Sequence, residues 1–201
     1  MILKIRQVGE PVLRKRSRRL SLEEIRSQYV RDLIQSMRET MHDAPGVGLA
    51  APQIGVPLHL VVIEDPPAAI QTLSVEQAAE RERRPVPFHV LINPILTVPD
   101  RNRVEFFEGC LSLASYTAIV PRALTVHVEA LNDYGEPMSI DASGWYARIL
   151  QHEIDHLNGV LYIDRMNPRS FTTQDNHLRI WKEKSIAEVK EALSLRKGEL
   201  S

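Results

Sequence analysis

His152-Glu153-Ile154-Asp155-His156 sets two imidazoles four residues apart, and no other feature of the chain limits its fold so tightly. On an α-helix, residues four apart share a face, separated by about 6 Å along the axis. Trp145 and Ile149 precede the histidines at helical spacing, so the imidazoles continue an apolar stripe instead of facing water. Ser143 is the expected N-cap and Gly159 the expected stop, which predicts a helix from about residue 144 to 158. Two imidazoles so placed can close on one small divalent cation, with Glu153 near enough to reach a water on it. The competing reading is a solvated face with two histidines and two acids, and the apolar stripe argues against it.

The rest of the chain must supply what that helix packs on. At 201 residues, 43% hydrophobic and 25% charged, it is long enough for one domain with a full core. Ser21 and Glu24 form a capping-box pattern opening a helix with Val30, Leu33, Met37 and Met41 on one face, ending before Pro45. Residues 57–64 read as a buried strand, and 65–87 as a surface excursion with a helical turn around 75–83. Residues 89–96 read as a second strand that Pro94 makes an edge or a bend. Residues 124–131 alternate and turn through Asn132-Asp133-Tyr134-Gly135 onto 137–142 as partner. A last amphipathic helix covers 174–195, with Leu178, Trp181, Ile186, Val189 and Leu193 as its apolar set. Strands in series, without regular βαβ alternation, predict α+β with mainly antiparallel sheets.

The formal charge of −1 gives no whole-molecule attraction to DNA or to a membrane. No apolar run approaches the ~20 residues of a membrane span. The first residues lack a signal peptide's apolar centre, and the single cysteine excludes an internal disulfide, so a cytoplasmic setting is expected. Arg14-Lys15-Arg16 and Arg18-Arg19 read as solvated surface.

A catalytic site of the zinc type needs a third protein ligand and an open position. Downstream candidates are Asp164, Asp175 and His177; upstream, Cys110 is the only thiol. A lone cysteine is ordinarily a small buried hydrophobe. The run Gly46-Val47-Gly48-Leu49-Ala50-Ala51-Pro52-Gln53 lacks the lysine and hydroxyl of a phosphate loop, and its small residues let another backbone approach closely. A metal-dependent peptidase with a downstream ligand is one reading; a metal-stabilised binding module is another, against which Glu153 and Gln53 argue.

Taken together, residues 46–53, 108–112 and 151–157 resemble the peptide deformylase family, whose three signatures run GΦGΦAAPQ, EGCΦS and QHEΦDHL in this order. The similarity extends through GEPVLR at 9–14, VPR at 120–122 and GVLY-IDRM at 159–166. Residues 142–157 and the insertion near 64–87 resemble the organellar-type subgroup and its bacterial relatives. The resemblance implies a single catalytic domain over residues 1–201, its sheets packed around a central H-E-x-x-H helix, with an N-terminal and a C-terminal helix. It implies removal of formyl from the N-terminal formyl-methionine of nascent peptides. It further implies that Cys110, His152 and His156 are the metal ligands, that Glu153 is the general base, and that Gln53 with the Leu111 N–H holds the formyl oxygen. The backbones of Val47, Gly48 and Gly109 would pair with the substrate chain.

Elementary chemistry agrees with these roles. A bound divalent cation brings the pKa of water toward ~7. A sulfur ligand admits Fe2+, Zn2+, Ni2+ or Co2+, and the resemblance points to Fe2+. An amide N–H2 stabilises an oxyanion without titrating, at roughly 3 kcal/mol. Trp145 and Ile149, two turns and one turn before His152, are candidates for the wall of a methionine pocket. Thr117 stands where some bacterial relatives carry arginine, and Glu108 with Arg122 could form a buried pair fixing the cysteine loop. Lys182, Lys184, Lys190, Arg196 and Lys197 suggest transient ribosome contact by the C-terminal helix, though Glu183, Glu188, Glu191 and Glu199 nearly balance them. An organellar matrix or stroma is the expected setting if a transit peptide has been removed.

Overall fold

A computed structural model of the chain describes residues 1–71 and 73–194. Its helices are α1 (Leu22–Ile25), α2 (Gln28–Asp43), α3 (Pro67–Ile70), α4 (Val75–Glu80), α5 (Gly144–Leu157), α6 (Gln174–Asn176) and α7 (Ile186–Ala192). Its strands are β1 (Gly48–Ala50), β2 (Leu60–Asp65), β3 (Val86–Thr97), β4 (Arg103–Gly109), β5 (Tyr116–Ala123), β6 (Thr125–Leu131), β7 (Pro137–Ser143) and β8 (Thr172–Thr173). The fold is α+β, and every strand pairing within its sheets is antiparallel.

The strands form a five-stranded sheet, in order β1-β2-β3-β6-β7, and a three-stranded sheet, β4-β5-β8. Alternation in β2 sorts the core. Leu60 and Val62 pack with Val30, Leu33, Met37 and Met41 of α2, while Val61 and Ile63 pack with Ala147, Leu150 and Ile154 of α5. The two long helices therefore cover opposite faces of the larger sheet. Arg148 of α5 reaches the smaller sheet, donating to the carbonyls of Val120 and Val104 at 2.9 and 2.8 Å. No described helix is long and apolar enough to cross a membrane.

Several elements differ from the sequence expectation. The capping box at Ser21 is present but closes only α1. Ser27 caps α2 separately, its hydroxyl oxygen accepting the Val30 N–H, so one expected helix becomes two. β3 is the middle strand of its sheet, not an edge. Pro94 is accommodated where the β3–β6 register shifts between Ile92 and Ile95, beside Asn93 at φ +55°. Ser143 occupies the N-cap position of α5 without capping; its hydroxyl donates to Glu82 Oε2 at 2.7 Å instead. Gly159 does adopt the left-handed conformation, at φ +74°, that ends the helix.

The expected C-terminal helix is broken into α6, a π-helical turn at His177–Trp181, and α7. Of its apolar set, only Val189 is fully buried, and Leu178 is exposed. With so little apolar surface to pack on, a continuous helix gains nothing over a broken one. Lys190 pairs with Glu105 and ties α7 to β4. Leu195, Arg196, Lys197 and Glu199 lie outside the described residues. Strands β1, β4, β5 and β8 have no counterpart in the sequence expectation.

Candidate metal centre and active site

α5 carries His152 and His156 toward the loop leaving β4, and that loop carries Cys110. One donor atom each from Cys110, His152 and His156 lies within 4.8 Å of the other two, with Cys110 Sγ 3.2 Å from His156 Nε2. The three downstream alternatives lie elsewhere. His177 packs against the Phe107 ring at 4.4 Å, Asp164 is engaged by Arg14 and the Leu161 N–H, and Asp175 is exposed. Among the described residues, no downstream imidazole or carboxylate joins the two helix histidines.

A buried charge network stands behind the histidines. His152 Nδ1 lies 3.0 Å from Glu108 Oε2, an arrangement that directs its Nε2 away from the carboxylate. Arg122 donates to both Glu108 oxygens, at 2.9 and 3.0 Å, and Arg148 donates to Oε1 at 2.6 Å. Arg122 also reaches Asp155, which Arg165 grips at 2.6 and 2.7 Å. Burial alone would raise the Glu108 pKa, but Arg122 and His152 hold it well below the usual carboxylate range.

The two histidines are driven apart. Burial opposes a charge on His152, yet its hydrogen bonds with Cys110 and Glu108 raise its pKa well above normal. His156 moves well below its ordinary value, first through burial and then through the charges of His152 and Arg122. A soft sulfur and two imidazole nitrogens converging on one point fit a divalent cation.

Beside this cluster, Glu153 is buried and its Oε2 has no hydrogen-bond partner among the described residues. Burial pushes its pKa up to about 7. Gly48 leaves the room for it, since a Cβ at that position would lie 2.3 Å from Glu153 Oε1. Gln53, on the turn that follows β1, is likewise buried. Its Oε1 accepts the Ala50 N–H at 2.9 Å, which orients Nε2 toward Ser112 Oγ at 3.2 Å and Cys110 Sγ at 3.5 Å. The Leu111 N–H opens a short 3-10 turn, Leu111–Leu113, where a helix start leaves donors without intrahelical acceptors.

Gln53, Cys110, Leu111, His152 and Glu153 line one cavity of about 760 Å3. Val47, Gly48, Gly109, Trp145 and Ile149 also line it. Both β1 and β4 are end strands of their sheets, so Gly48 and Gly109 each lie on an edge able to pair with an added chain. The Val47 carbonyl is already engaged by the Glu64 N–H, at 3.0 Å. Trp145 packs edge-on to Phe106 at 6.3 Å, with Arg81 and Arg83 over its ring at 5.2 and 5.1 Å. Thr117 is buried, its hydroxyl donating to the Glu108 carbonyl at 2.7 Å, and so it braces the cysteine loop from below.

The Glu108–Arg122 pair is visible in the sequence; three other residues around the site, Arg148, Asp155 and Ser112, are not. Arg148 lies one turn before His152 on the same helix, a placement the spacing does give. Asp155 reads as a solvated acid until Arg122 and Arg165 are seen around it. Ser112, which accepts from Gln53, has no sequence signal beyond its place in the cysteine motif.

The family model described as polypeptide deformylase matches residues 2–172. A chloroplastic peptide deformylase 1A from Solanum lycopersicum is 46% identical over 170 residues, 85% of this chain and 61% of the relative. The chain thus spans less than two thirds of that plant relative. The mitochondrial peptide deformylase of Homo sapiens is 42% identical over 166 residues, 83% of this chain and 68% of the relative. Among solved structures, a class I type b peptide deformylase from Acinetobacter baumannii with Met-Ala-Ser bound superposes with a TM-score of 0.73. It is 30% identical, over 83% of this chain and 99% of the other.

Proposed function

This chain belongs to the polypeptide deformylase family, and from that premise we propose that it hydrolyses the formyl group from N-terminal formyl-methionine of newly made peptides, releasing formate and a free amine. The observation that carries the reading is the convergence of Cys110, His152 and His156 on one point, beside an unpartnered, buried Glu153. The solved relative that binds Met-Ala-Ser, the sequence left once such a peptide loses its formyl group, supports the substrate class.

Cys110, His152 and His156 would hold one divalent cation, which supplies Lewis acidity that polarises the formyl group and eases loss of a proton from water. We assign Fe2+ as the working metal, with Zn2+, Ni2+ and Co2+ admissible to the same donor set. Glu153 takes the proton from water and delivers it to the amine nitrogen as the C–N bond breaks and the new C–O bond forms. Its elevated pKa suits both halves of that task. Gln53 Nε2 and the Leu111 N–H receive the formyl oxygen as it gains negative charge. Glu108 fixes the His152 ring, and Arg122 and Arg148 fix Glu108.

An extended peptide would lie between the edges of β1 and β4, pairing with Val47, Gly48 and Gly109, with Trp145 and Ile149 walling the methionine side chain. Sheets of both sizes then gather around α5 as the central H-E-x-x-H helix. The protein would work where formylated chains are made, in bacterial cytoplasm or an organelle's matrix or stroma. Ribosome contact through the C-terminal segment would fall to Lys182 and Lys184, because Lys190 is paired with Glu105.

The test is release of formate and amine, in equal amounts, from formyl-Met-Ala-Ser by metal-loaded protein, with acetyl-Met-Ala-Ser inert. Cleavage of an internal bond, or no formate, would overturn the assignment.

A further inference from the structure

Behind α5, on the face that presents Gln151, Ile154, Asp155 and Asn158, lies a second cavity of about 600 Å3. Five arginines line it against one carboxylate, Asp155. Two of them are committed, Arg122 to Glu108 and Asp155, and Arg165 to Asp155. The guanidinium groups of Arg16, Arg19 and Arg103 carry the surplus, and none makes an ion pair with any described carboxylate.

Exposed arginines alone would be ordinary surface. Ser17 and His59 make the difference: they are 7% and 6% exposed, they line the same cavity, and Ser17 Oγ and His59 Nδ1 have no hydrogen-bond partner among the described residues. Buried polar atoms without partners are uncommon in folded proteins. The backbone holds the two together, with the Arg18 N–H donating to the Pro57 carbonyl at 3.0 Å and the His59 N–H to the Arg18 carbonyl at 2.8 Å. The positive field reaches inward, since burial and the charges of Arg19 and Arg16 press the His59 pKa down to about 4.

We propose that this cavity binds a phosphate-bearing small molecule, its oxyanion held by Arg16, Arg19 and Arg103 and its deepest oxygens by Ser17 and His59. A phosphoryl group carries the multiple acceptor oxygens and the charge that several guanidinium groups match. The cavity's volume falls in the range of small-ligand sites. Ser17 and His59 favour a free ligand over a nucleic-acid backbone. A phosphodiester tethered on both sides meets the exposed guanidinium groups but does not enter to reach buried donors.

Calorimetric titration of metal-loaded protein at constant ionic strength tests this, with inorganic phosphate, pyrophosphate, a nucleoside monophosphate and a single-stranded RNA as separate ligands. The first two arms separate free phosphate from pyrophosphate, and the third asks whether an organic ester is required. The expected result is one saturable site for at least one small phosphate, weakened tenfold or more by Arg16→Ala/Arg19→Ala and weakened by Ser17→Ala. Formyl-peptide turnover and metal content should not change in either variant. Absence of saturable binding would overturn the proposal. So would unchanged affinity in the arginine variant, which would place the anion at the catalytic metal. Binding confined to RNA and indifferent to Ser17→Ala would likewise overturn it.

Discussion

Gly48→Ala is the substitution whose consequences separate most cleanly in this structure. A Cβ built there lies 2.3 Å from Glu153 Oε1, 2.6 Å from Cδ and 2.7 Å from Cγ. Ordinary contact between non-bonded heavy atoms begins at about 3.5 Å, so the carboxylate must withdraw by about 1 Å. The backbone raises no objection, because Gly48 is not among the glycines with positive φ. Glu153 Oε2 has no hydrogen bond to lose. The folding penalty is therefore that of an off-rotamer side chain, about 1 kcal/mol, or about 2–4 °C in Tm for a chain of this size.

Catalysis is far less tolerant. A displacement of about 1 Å in a positioned group can lower the rate ~10²-fold. The three atoms nearest that Cβ all belong to Glu153 and none to Cys110, His152 or His156, so metal content should hold. The assay is kcat/KM on formyl-Met-Ala-Ser beside metal content and Tm, repeated in a Glu153→Ala background. The prediction is a fall of about 10² in wild-type background and almost none where Glu153 is already gone, because the two changes act on one group. Full activity in Gly48→Ala, or an undiminished loss in the double variant, would refute the reasoning.

Cys110→Ala should lose metal and activity together; full metal content in that variant would remove the thiol from the ligand set. Protein loaded with Fe2+ and prepared anaerobically should decay in air and peroxide faster than the Ni2+ or Zn2+ forms, since oxidation reaches both the metal and Cys110; equal decay would contradict an iron-specific liability. Glu108 has a depressed pKa, so its stabilising contribution is complete above the unfolded value near 4.5 and is lost as pH falls below it. Glu108→Gln should accordingly be less stable at pH 7, by an amount on the order of the 3–5 kcal/mol of a broken buried pair, and should show a flatter acid limb in urea titrations at pH 3–5. A parallel acid limb would detach Glu108 from that pH dependence.

The helix around His152 is legible because its period, its apolar stripe and its glycine stop all agree. The hairpin of β6 and β7 is legible for the same reason: alternation and an Asn-Asp-Tyr-Gly turn point one way. β1 is not, since three residues of Gly-Leu-Ala carry no period and are a strand only because Gly48, Leu49 and Ala50 pair with β2. β5 hides behind Pro121, which β4 still pairs with opposite Glu105. In the site, spacing yields His152, Glu153 and His156 but not Cys110, which meets His156 across 46 residues through tertiary packing. Without the family resemblance, the third donor stays open among four residues. Arg148 shows the same limit, its position readable from the helix but its bond to Glu108, 40 residues away, readable only from the fold.

The central claim is that three side chains hold the metal while a fourth, Glu153, moves the proton. It is met most directly by Glu153→Ala, measured for metal stoichiometry, hydroxamate affinity and single-turnover rate on formyl-Met-Ala-Ser. The account predicts near-stoichiometric metal, retained binding of a hydroxamate, whose two oxygens chelate without a base, and a rate lower by at least ~10²-fold. Loss of the metal, or retention of most of the rate, would contradict it.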